Sequence, residues 1–168
     1  MLDKRMLYKY NLIIKVFEVN IMSNHESINE ILVRLFADIL YIEEKCLCRG
    51  EFSNLSITEM HIIDNIGIDK ERNMSNTAKD LKITSGTLTT AIDNLIKKGY
   101  VERRRSDTDR RVVMIKLTEK GIEAYKAHKD FHIDLVAGAV WGLNVDEEEV
   151  LIKILSNIDT FFKHKYHF

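Results

Sequence analysis

The sequence predicts a mainly α-helical fold with one small β-hairpin, so that the fold class is α+β with helices dominating. Apolar residues recur at helical spacing in several separate segments of the chain. The 168 residues include seven glycines and no proline, which leaves little of the chain for loops. With 45% apolar and 30% charged residues, the chain is long enough for one globular domain with a sizeable core.

The first helix is expected over residues 27–48. Ser27 would be its N-cap, because Glu30 follows at the spacing of a capping box. Its apolar residues form a stripe too wide for a lone surface helix, and these are Ile28, Ile31, Leu32, Leu35, Phe36, Ile39, Leu40 and Ile42.

Residues 1–22 are apolar but interrupted by charges, and they lack the unbroken apolar region and cleavage site of a secretory signal. Two interpretations remain. The segment is either an amphipathic or strand-like arm that packs on a dimer, or an untranslated extension upstream of a start at Met22. The second interpretation is favoured.

The middle of the chain predicts two helices, a turn, a third helix and a hairpin. Ser56 or Thr58 begins a helix that Gly67 ends, and Ala78 and Leu81 give a short helix its inward face. The longer helix that follows would be capped by Thr84 or Ser85 and ended by Gly99, with Leu88, Ile92, Leu95 and Ile96 facing inward.

The outward face of this longer helix carries small or hydrogen-bonding side chains, which are Ser85, Thr87, Thr89, Thr90, Asp93, Asn94, Lys97 and Lys98. Base edges in a DNA major groove are read by short polar side chains and by methyl groups. The expected base contacts are Thr87, Thr89, Thr90 and Asn94. The expected phosphate contacts are Ser85, Lys97 and Lys98.

The hairpin that follows is basic. Residues 97–111 hold seven basic and three acidic residues, a net charge of +4 in a chain whose formal net charge is −1. Such a concentration is typical of phosphate binding. Arg103, Arg105, Asp109, Arg110 and Arg111 join the predicted DNA-binding site. Arg103, Arg104 and Arg105 alternate along a strand, so not all three can face DNA.

A family resemblance rests on the same segment. Asp109-Arg110-Arg111 and the residues from Val112 to Gly121 resemble the wing signature of the MarR family, and residues 95–101 resemble the end of its recognition helix. The resemblance covers about residues 27–168 and implies a homodimeric winged helix-turn-helix transcription regulator. It also implies a short strand near Asn73-Met74 that pairs with the wing, an inward Met74, and an Asp109–Arg111 salt bridge.

The C-terminal third predicts two more helices. The first begins after Thr118, residues 141–144 break it, and residues 146–149 place four consecutive carboxylates at the start of the last helix, where its dipole favours negative charge. The expected organisation is a single domain over residues 23–168. In it, residues 56–118 form the DNA-binding lobe, while residues 24–50 and 119–168 form a two-fold dimerisation region. Such a dimer would bind a near-palindromic double-stranded operator.

The sequence gives weaker support for a metal site, a redox-sensing thiol or a catalytic site. His128 and His132 are spaced to share a metal ion, but the further ligands that could be nominated, His25, Asp130 or Asp134, have no support in the sequence. The two histidines are otherwise the polar lining of a groove or core residues, and no metal or cofactor is predicted. Cys46 and Cys48 are either redox sensors or ordinary residues at a helix end; being neighbours, they predict no disulfide framework and favour a reducing cytoplasm. No catalytic motif indicates an enzyme. The longest uncharged run, eleven residues from Leu135 to Val145, is too short for a membrane span.

Residues 84–90 and 124–132 resemble the branch of the family that represses fatty-acid synthesis genes. That resemblance implies an acylated acyl carrier protein as effector, with the acyl chain entering the dimer. The residues expected to line this pocket are Leu32, Leu35, Phe36, Ile39, His128, Phe131, His132 and Leu135. The alternatives are a repressor released by small phenolic ligands or oxidants, and a winged-helix protein-interaction module. A protein-binding module would expose apolar residues where this helix exposes threonines and lysines.

Overall fold

The computed structural model describes the backbone of residues 4–166 and the side chains of residues 26–166. In chain order, the elements are α1 (Lys4–Leu47), a 3-10 turn (Gly50–Phe52), α2 (Ile57–Ile66), β1 (Arg72–Asn73), α3 (Met74–Asp80), α4 (Ser85–Lys97), β2 (Val101–Arg105), β3 (Val113–Leu117), α5 (Glu119–Ala139) and α6 (Val145–Tyr166). The predicted fold class, a mainly α-helical winged helix-turn-helix, is confirmed. Among the described residues, no helix is long and apolar enough to cross a membrane.

The first helix is longer than expected. α1 runs without a break for 44 residues, so Ser27 lies inside it and the prediction that Ser27 caps it is wrong. Residues 1–49 contain no glycine or proline, and therefore no helix-breaking residue prevents α1 from beginning well before Ser27. The helical backbone from Lys4 excludes a strand-like arm. The side chains of residues 1–25 lie outside the described residues, and so does what this segment packs against.

The chain divides into two compact units, residues 1–57 and residues 58–168. The first unit holds α1 and the 3-10 turn, and the second holds the three strands with almost all of α2 to α6. The boundary falls at the start of α2, where the DNA-binding lobe was expected to begin.

The core of the second unit forms around α4. Leu88, Ile92 and Leu95 have no exposed area, as their spacing predicted, and Ile96 is half-buried. The other buried apolar residues of this unit are Met60, Ile62, Ile63, Ile66, Ala78, Tyr100, Val101, Ile115, Leu117 and Ala124. Because one face of α4 is buried against these apolar residues, its opposite, polar face points outward.

The sheet is antiparallel, with strand order β1-β3-β2. Val101 pairs with Leu117 and Arg105 pairs with Val113, which makes β2 and β3 the two strands of the predicted hairpin. β1 pairs with β3 through Arg72 and Asn73, as the resemblance implied, and Met74 is half-buried. The sheet therefore holds the wing beside the three helices α2, α3 and α4.

The junction between α4, β2 and α5 depends on two glycines. Gly99 ends α4 with a φ of +82°, which glycine adopts without strain, and the N–H of Tyr100 donates to the Leu95 carbonyl at 2.9 Å. Thr118 caps α5 by accepting from the N–H of Gly121, and its hydroxyl donates to the Gly99 carbonyl at 2.7 Å. A Cβ on Gly121 would lie 2.1 Å from the main-chain oxygen of Tyr100.

Gly121→Ala should therefore lower the free energy of unfolding by about 1–3 kcal/mol, the usual range for overpacking. The obstructing atom belongs to the backbone, so a rotamer change cannot relieve the contact. Gly138 provides a matched control in the same helix, since a Cβ there meets nothing within 4 Å. Gly138→Ala should be neutral or stabilising. Chemical denaturation of the two variants compares them directly, and equal stabilities would show that the α5 start is not constrained as described.

Candidate nucleic-acid interface

The N-terminus of α4 is set by Thr84. Its Oγ1 accepts from the N–H of Thr87 at 3.1 Å, and the two hydroxyls lie 2.8 Å apart. Of the two candidate caps, Thr84 is the observed one, and Ser85 becomes the first helical residue. This cap fixes where α4 begins, and the polar face of its first turn remains exposed.

The predicted base and phosphate contacts on α4 share one exposed face. Ser85, Thr87, Thr89, Thr90, Asn94 and Lys97 are all exposed. The hydroxyl of Thr89 donates to the Ser85 carbonyl at 2.8 Å, and that of Thr90 donates to the Gly86 carbonyl at 3.2 Å. Because both protons are already used, these threonines offer a methyl group and oxygen lone pairs to a ligand. Such groups suit thymine methyls and amino groups of bases in a major groove.

Lys98 differs from this set, and its predicted phosphate contact is not supported. Its Nζ lies 2.8 and 2.7 Å from the two carboxylate oxygens of Glu59 on α2. Glu59 is 7% exposed, so Lys98 neutralises a buried carboxylate. The Lys98 carbonyl also accepts from Lys120 Nζ at 3.2 Å. The ammonium group of Lys98 is thus held in an ion pair with Glu59.

The three arginines of β2 separate as the strand alternation predicted. Arg103 Nη1 donates to Asp93 Oδ1 on α4 at 2.8 Å. Arg104, which points to the other face, contacts both carboxylate oxygens of Glu71 at 2.9 and 3.1 Å and Asp107 at 2.9 Å. Hydrogen bonding to Arg104 lowers the pKa of Glu71 below its usual value. Arg105 Nη1 donates to the Arg110 carbonyl at 3.2 Å.

The wing tip between β2 and β3 is braced by its own main chain. Asp109 Oδ1 accepts from the backbone N–H of Arg111 at 2.9 Å, and the Asp109 carbonyl accepts from Val112 N–H at 2.9 Å. The side-chain salt bridge expected between Asp109 and Arg111 is replaced by this main-chain contact. Among the described residues, the exposed guanidinium groups of Arg110 and Arg111 form no ion pair. These two cations remain available at the tip.

The predicted effector residues fall in both units. On α1, Leu32 and Ile39 are half-buried, while Leu35 and Phe36 are 48% and 56% exposed. On α5, the residues are His128, Phe131, His132 and Leu135, of which His128 is buried and the others half-buried. That these two sets line one pocket remains a prediction.

Within the second unit, His128 belongs to a polar cluster that the sequence did not reveal. Its Nε2 lies 3.2 Å from that of His132, and its Nδ1 lies 3.3 Å from Asp64 Oδ1, which also contacts Lys129 Nζ at 2.7 Å. Burial raises the pKa of Asp64, but hydrogen bonds from His128 and Lys129 outweigh it and lower that pKa to about 2. Asp64 lies on α2, and only the tertiary fold brings it to α5.

The three helices α2, α3 and α4 precede a basic hairpin at one edge of a small sheet, and α4 presents a polar face as a recognition helix does. This arrangement defines a winged helix-turn-helix regulator. Residues 51–127 match the family model described as transcriptional regulator SarA/Rot. The structure is similar to Streptococcus pneumoniae FabT in complex with DNA, with 41% identity and a TM-score of 0.78, covering 83% of this chain and 98% of that one. The regulator SarZ of Staphylococcus haemolyticus is 30% identical over 105 residues, which are 62% of this chain and 70% of SarZ.

A solved MarR family transcription regulator, SP03579, has the same fold, with a TM-score of 0.73 at 14% identity over 87% of this chain and 95% of that chain. The chain belongs to the MarR family of winged-helix transcription regulators. It is a DNA-binding transcriptional regulator of that type.

Proposed function

We propose that the protein is a sequence-specific repressor that binds a near-palindromic operator as a homodimer. The observation that carries this proposal is the exposed polar face of α4 together with the wing-tip arginines, Arg110 and Arg111, which form no ion pair among the described residues. α4 would enter the major groove, and Arg110 or Arg111 would reach the adjacent minor groove. The similarity to FabT, which was solved in complex with DNA, supports DNA binding by this chain.

The homodimer is supported by the apolar residues that the end helices leave exposed. On α1, Val33 is 64% exposed and Phe36 56%; on α6, Ile152 is 63% exposed and Phe161 52%. Large apolar side chains exposed along a helix in this number are unfavourable in water and mark an interface. A second copy of the chain would cover it and place two recognition helices about 34–36 Å apart, one turn of DNA.

The division between base and phosphate contacts can be tested with two variants. Asn94→Ala should relax discrimination at one position of each half-site by about 1–3 kcal/mol, because a base-edge contact is lost. Arg111→Ala should weaken binding to every duplex alike, because its contact is with the sugar-phosphate backbone and not with base edges. Binding to an operator selected from random duplexes, and to single-base variants of it, provides the measurement.

Lys126→Ala is the matched control for charge, because it removes an exposed cation from α5, a helix that carries none of the predicted DNA contacts. It should change neither affinity nor discrimination. Uniform losses across all duplexes for Asn94→Ala would contradict its assignment as a base contact.

The genes repressed would be those of fatty-acid synthesis, and the effector would be an acylated acyl carrier protein that strengthens operator binding. The resemblance of residues 84–90 and 124–132 to that branch supports this, as does the 41% identity to FabT. The predicted pocket residues are largely apolar, and each CH₂ buried there would contribute about 0.8 kcal/mol. Affinity should therefore depend steeply on acyl chain length.

Operator binding titrated with carrier proteins of graded acyl chain length tests the effector. Long chains should tighten binding while short chains and small aromatic acids do little, and operator DNA must tighten acyl binding by the same factor. Leu35→Trp should block this response and leave binding by the unliganded protein intact. If small phenolic acids shift the affinity and acyl chains of every length do not, the phenolic-sensor alternative replaces this one. A response to peroxide alone would point instead to oxidation of Cys46 or Cys48.

A further inference from the structure

An ion pair joins the recognition helix to the wing. Arg103 lies in the middle of β2, and its Nη1 is 2.8 Å from Oδ1 of Asp93 on α4. Asp93 lies four residues after Thr89 and directly before Asn94, so it shares the polar face of α4. The two side chains are 43% and 42% exposed, which means that solvent, or a ligand, can reach both.

The Asp93 carboxylate lies on the proposed DNA-binding face of α4, where a negative charge needs an explanation. Asp93 is the one acidic residue of α4, and a negative charge beside DNA phosphates opposes binding. Pairing with Arg103 removes that penalty while the pair is intact. It also prevents Arg103 from acting as an unrestrained cation toward any duplex that approaches.

We propose that Asp93 is a specificity-determining residue that restrains Arg103, so that its guanidinium reaches a phosphate only when α4 is fully seated in the operator. This inference rests on the proposed DNA contacts of α4 and the wing. Arginine presents its donors in a rigid planar fork, so a guanidinium held by Asp93 offers its remaining N–H groups in a fixed direction. Base contacts by Asn94 and the threonines would bring the matching phosphate of an operator into that direction.

On non-operator DNA, no base contacts hold α4 at that depth. Arg103 must then leave Asp93 to find a phosphate, and the carboxylate is left facing the duplex without its cation. A surface ion pair as exposed as this one is weak, so the restraint is modest and reversible. It acts on the ratio of operator to non-operator affinity more than on operator affinity itself.

The neighbouring residue of β2 provides a built-in comparison. Arg104 forms an equally close ion pair with Glu71, 2.8 Å from Nη2 to Oε2, but on the opposite face of the strand and with a partner that lies just before β1 rather than on α4. Removing the carboxylate of either pair changes the net charge equally. Only the loss of Asp93 should release an arginine toward DNA.

The wild-type protein is first used to select an operator from random duplexes. The experiment then compares binding to this operator with binding to a shuffled duplex of the same length and composition. Fluorescence anisotropy over a salt series gives affinity and its salt slope for both. Asp93→Asn should tighten binding to the shuffled duplex and lower the operator preference by up to about fivefold, the upper end of what an exposed ion pair carries. Its salt slope on the shuffled duplex should steepen by about one for each newly contacted phosphate. Glu71→Gln should leave the preference and both slopes unchanged.

Two further variants isolate Arg103. Arg103→Lys keeps the charge but loses the fork, and it should reduce the operator preference in the same way. In an Arg103→Gln background, adding Asp93→Asn should no longer change the preference. If Asp93→Asn tightens both duplexes equally, with or without Arg103, the carboxylate acts only by repulsion and the inference fails. A loss confined to one operator base pair would make Asp93 a base reader and would also overturn it. A wild-type protein with no operator preference would instead refute the proposed function.

Discussion

Operator affinity should fall about a thousandfold between about 50 and 200 mM monovalent salt, because three interface cations per protomer have side chains that form neither an ion pair nor a hydrogen bond among the described residues. Among the described residues these are Lys97, Arg110 and Arg111, all exposed. A homodimer would present six of them. Each neutralised phosphate releases condensed counterions, so six contacts give a slope of about −5 in a plot of log affinity against log salt concentration.

Three single variants distinguish this set from the other basic residues of the interface. Arg110→Gln and Arg111→Gln should each make the slope less steep by about two for a dimer, one contact being lost in each protomer. Lys98→Met should leave the slope unchanged, because Lys98 is held by Glu59. A slope near zero for the wild-type protein would contradict binding through phosphates. An equal effect of Lys98→Met would show that the ion pair with Glu59 does not keep Lys98 from phosphates.

Local sequence rules predicted the helix ends wherever one strong signal decided them. Thr84 and Thr118 cap their helices through side-chain oxygens, and Gly99 ends α4 with a positive φ. Ser27 failed as a cap because residues 4–47 hold no helix-breaking residue, so the helix continues through it. A cap residue predicts a helix start only where something prevents the helix from beginning earlier.

The site shows a second limit of sequence reasoning. The 3.6-residue period identified which side chains of α4 face outward, because that depends only on the helix itself. It could not separate Lys97 from Lys98, since the partner of Lys98 is Glu59, 39 residues earlier in the chain. The pairs Arg103–Asp93 and Arg104–Glu71 were hidden for the same reason. Which charges are available to DNA is decided by tertiary contacts.

The second large effect is expected in stability. Lys98→Met should lower the free energy of unfolding by about 3 kcal/mol, since it removes the ammonium group that neutralises the buried Glu59 carboxylate. The side chain of Lys98 is 31% exposed and that of Glu59 9%, which places the pair nearer the buried than the surface case. For a chain of this size the melting temperature should fall by about 6–12 °C. All variants must be compared at one protein concentration, because dimerisation would contribute to the apparent stability.

A double-mutant cycle separates the ion pair from the packing of the lysine chain. Glu59→Gln combined with Lys98→Met should recover most of the lost stability, because no buried charge then remains to be neutralised. Lys97→Met is the matched control: its ammonium group is exposed, so stability should hardly change while DNA binding weakens. Lys98→Met should show the reverse pattern when both are measured well below their melting temperatures. If the double variant were as unstable as Lys98→Met alone, the methylene packing of Lys98 rather than its charge would account for the loss.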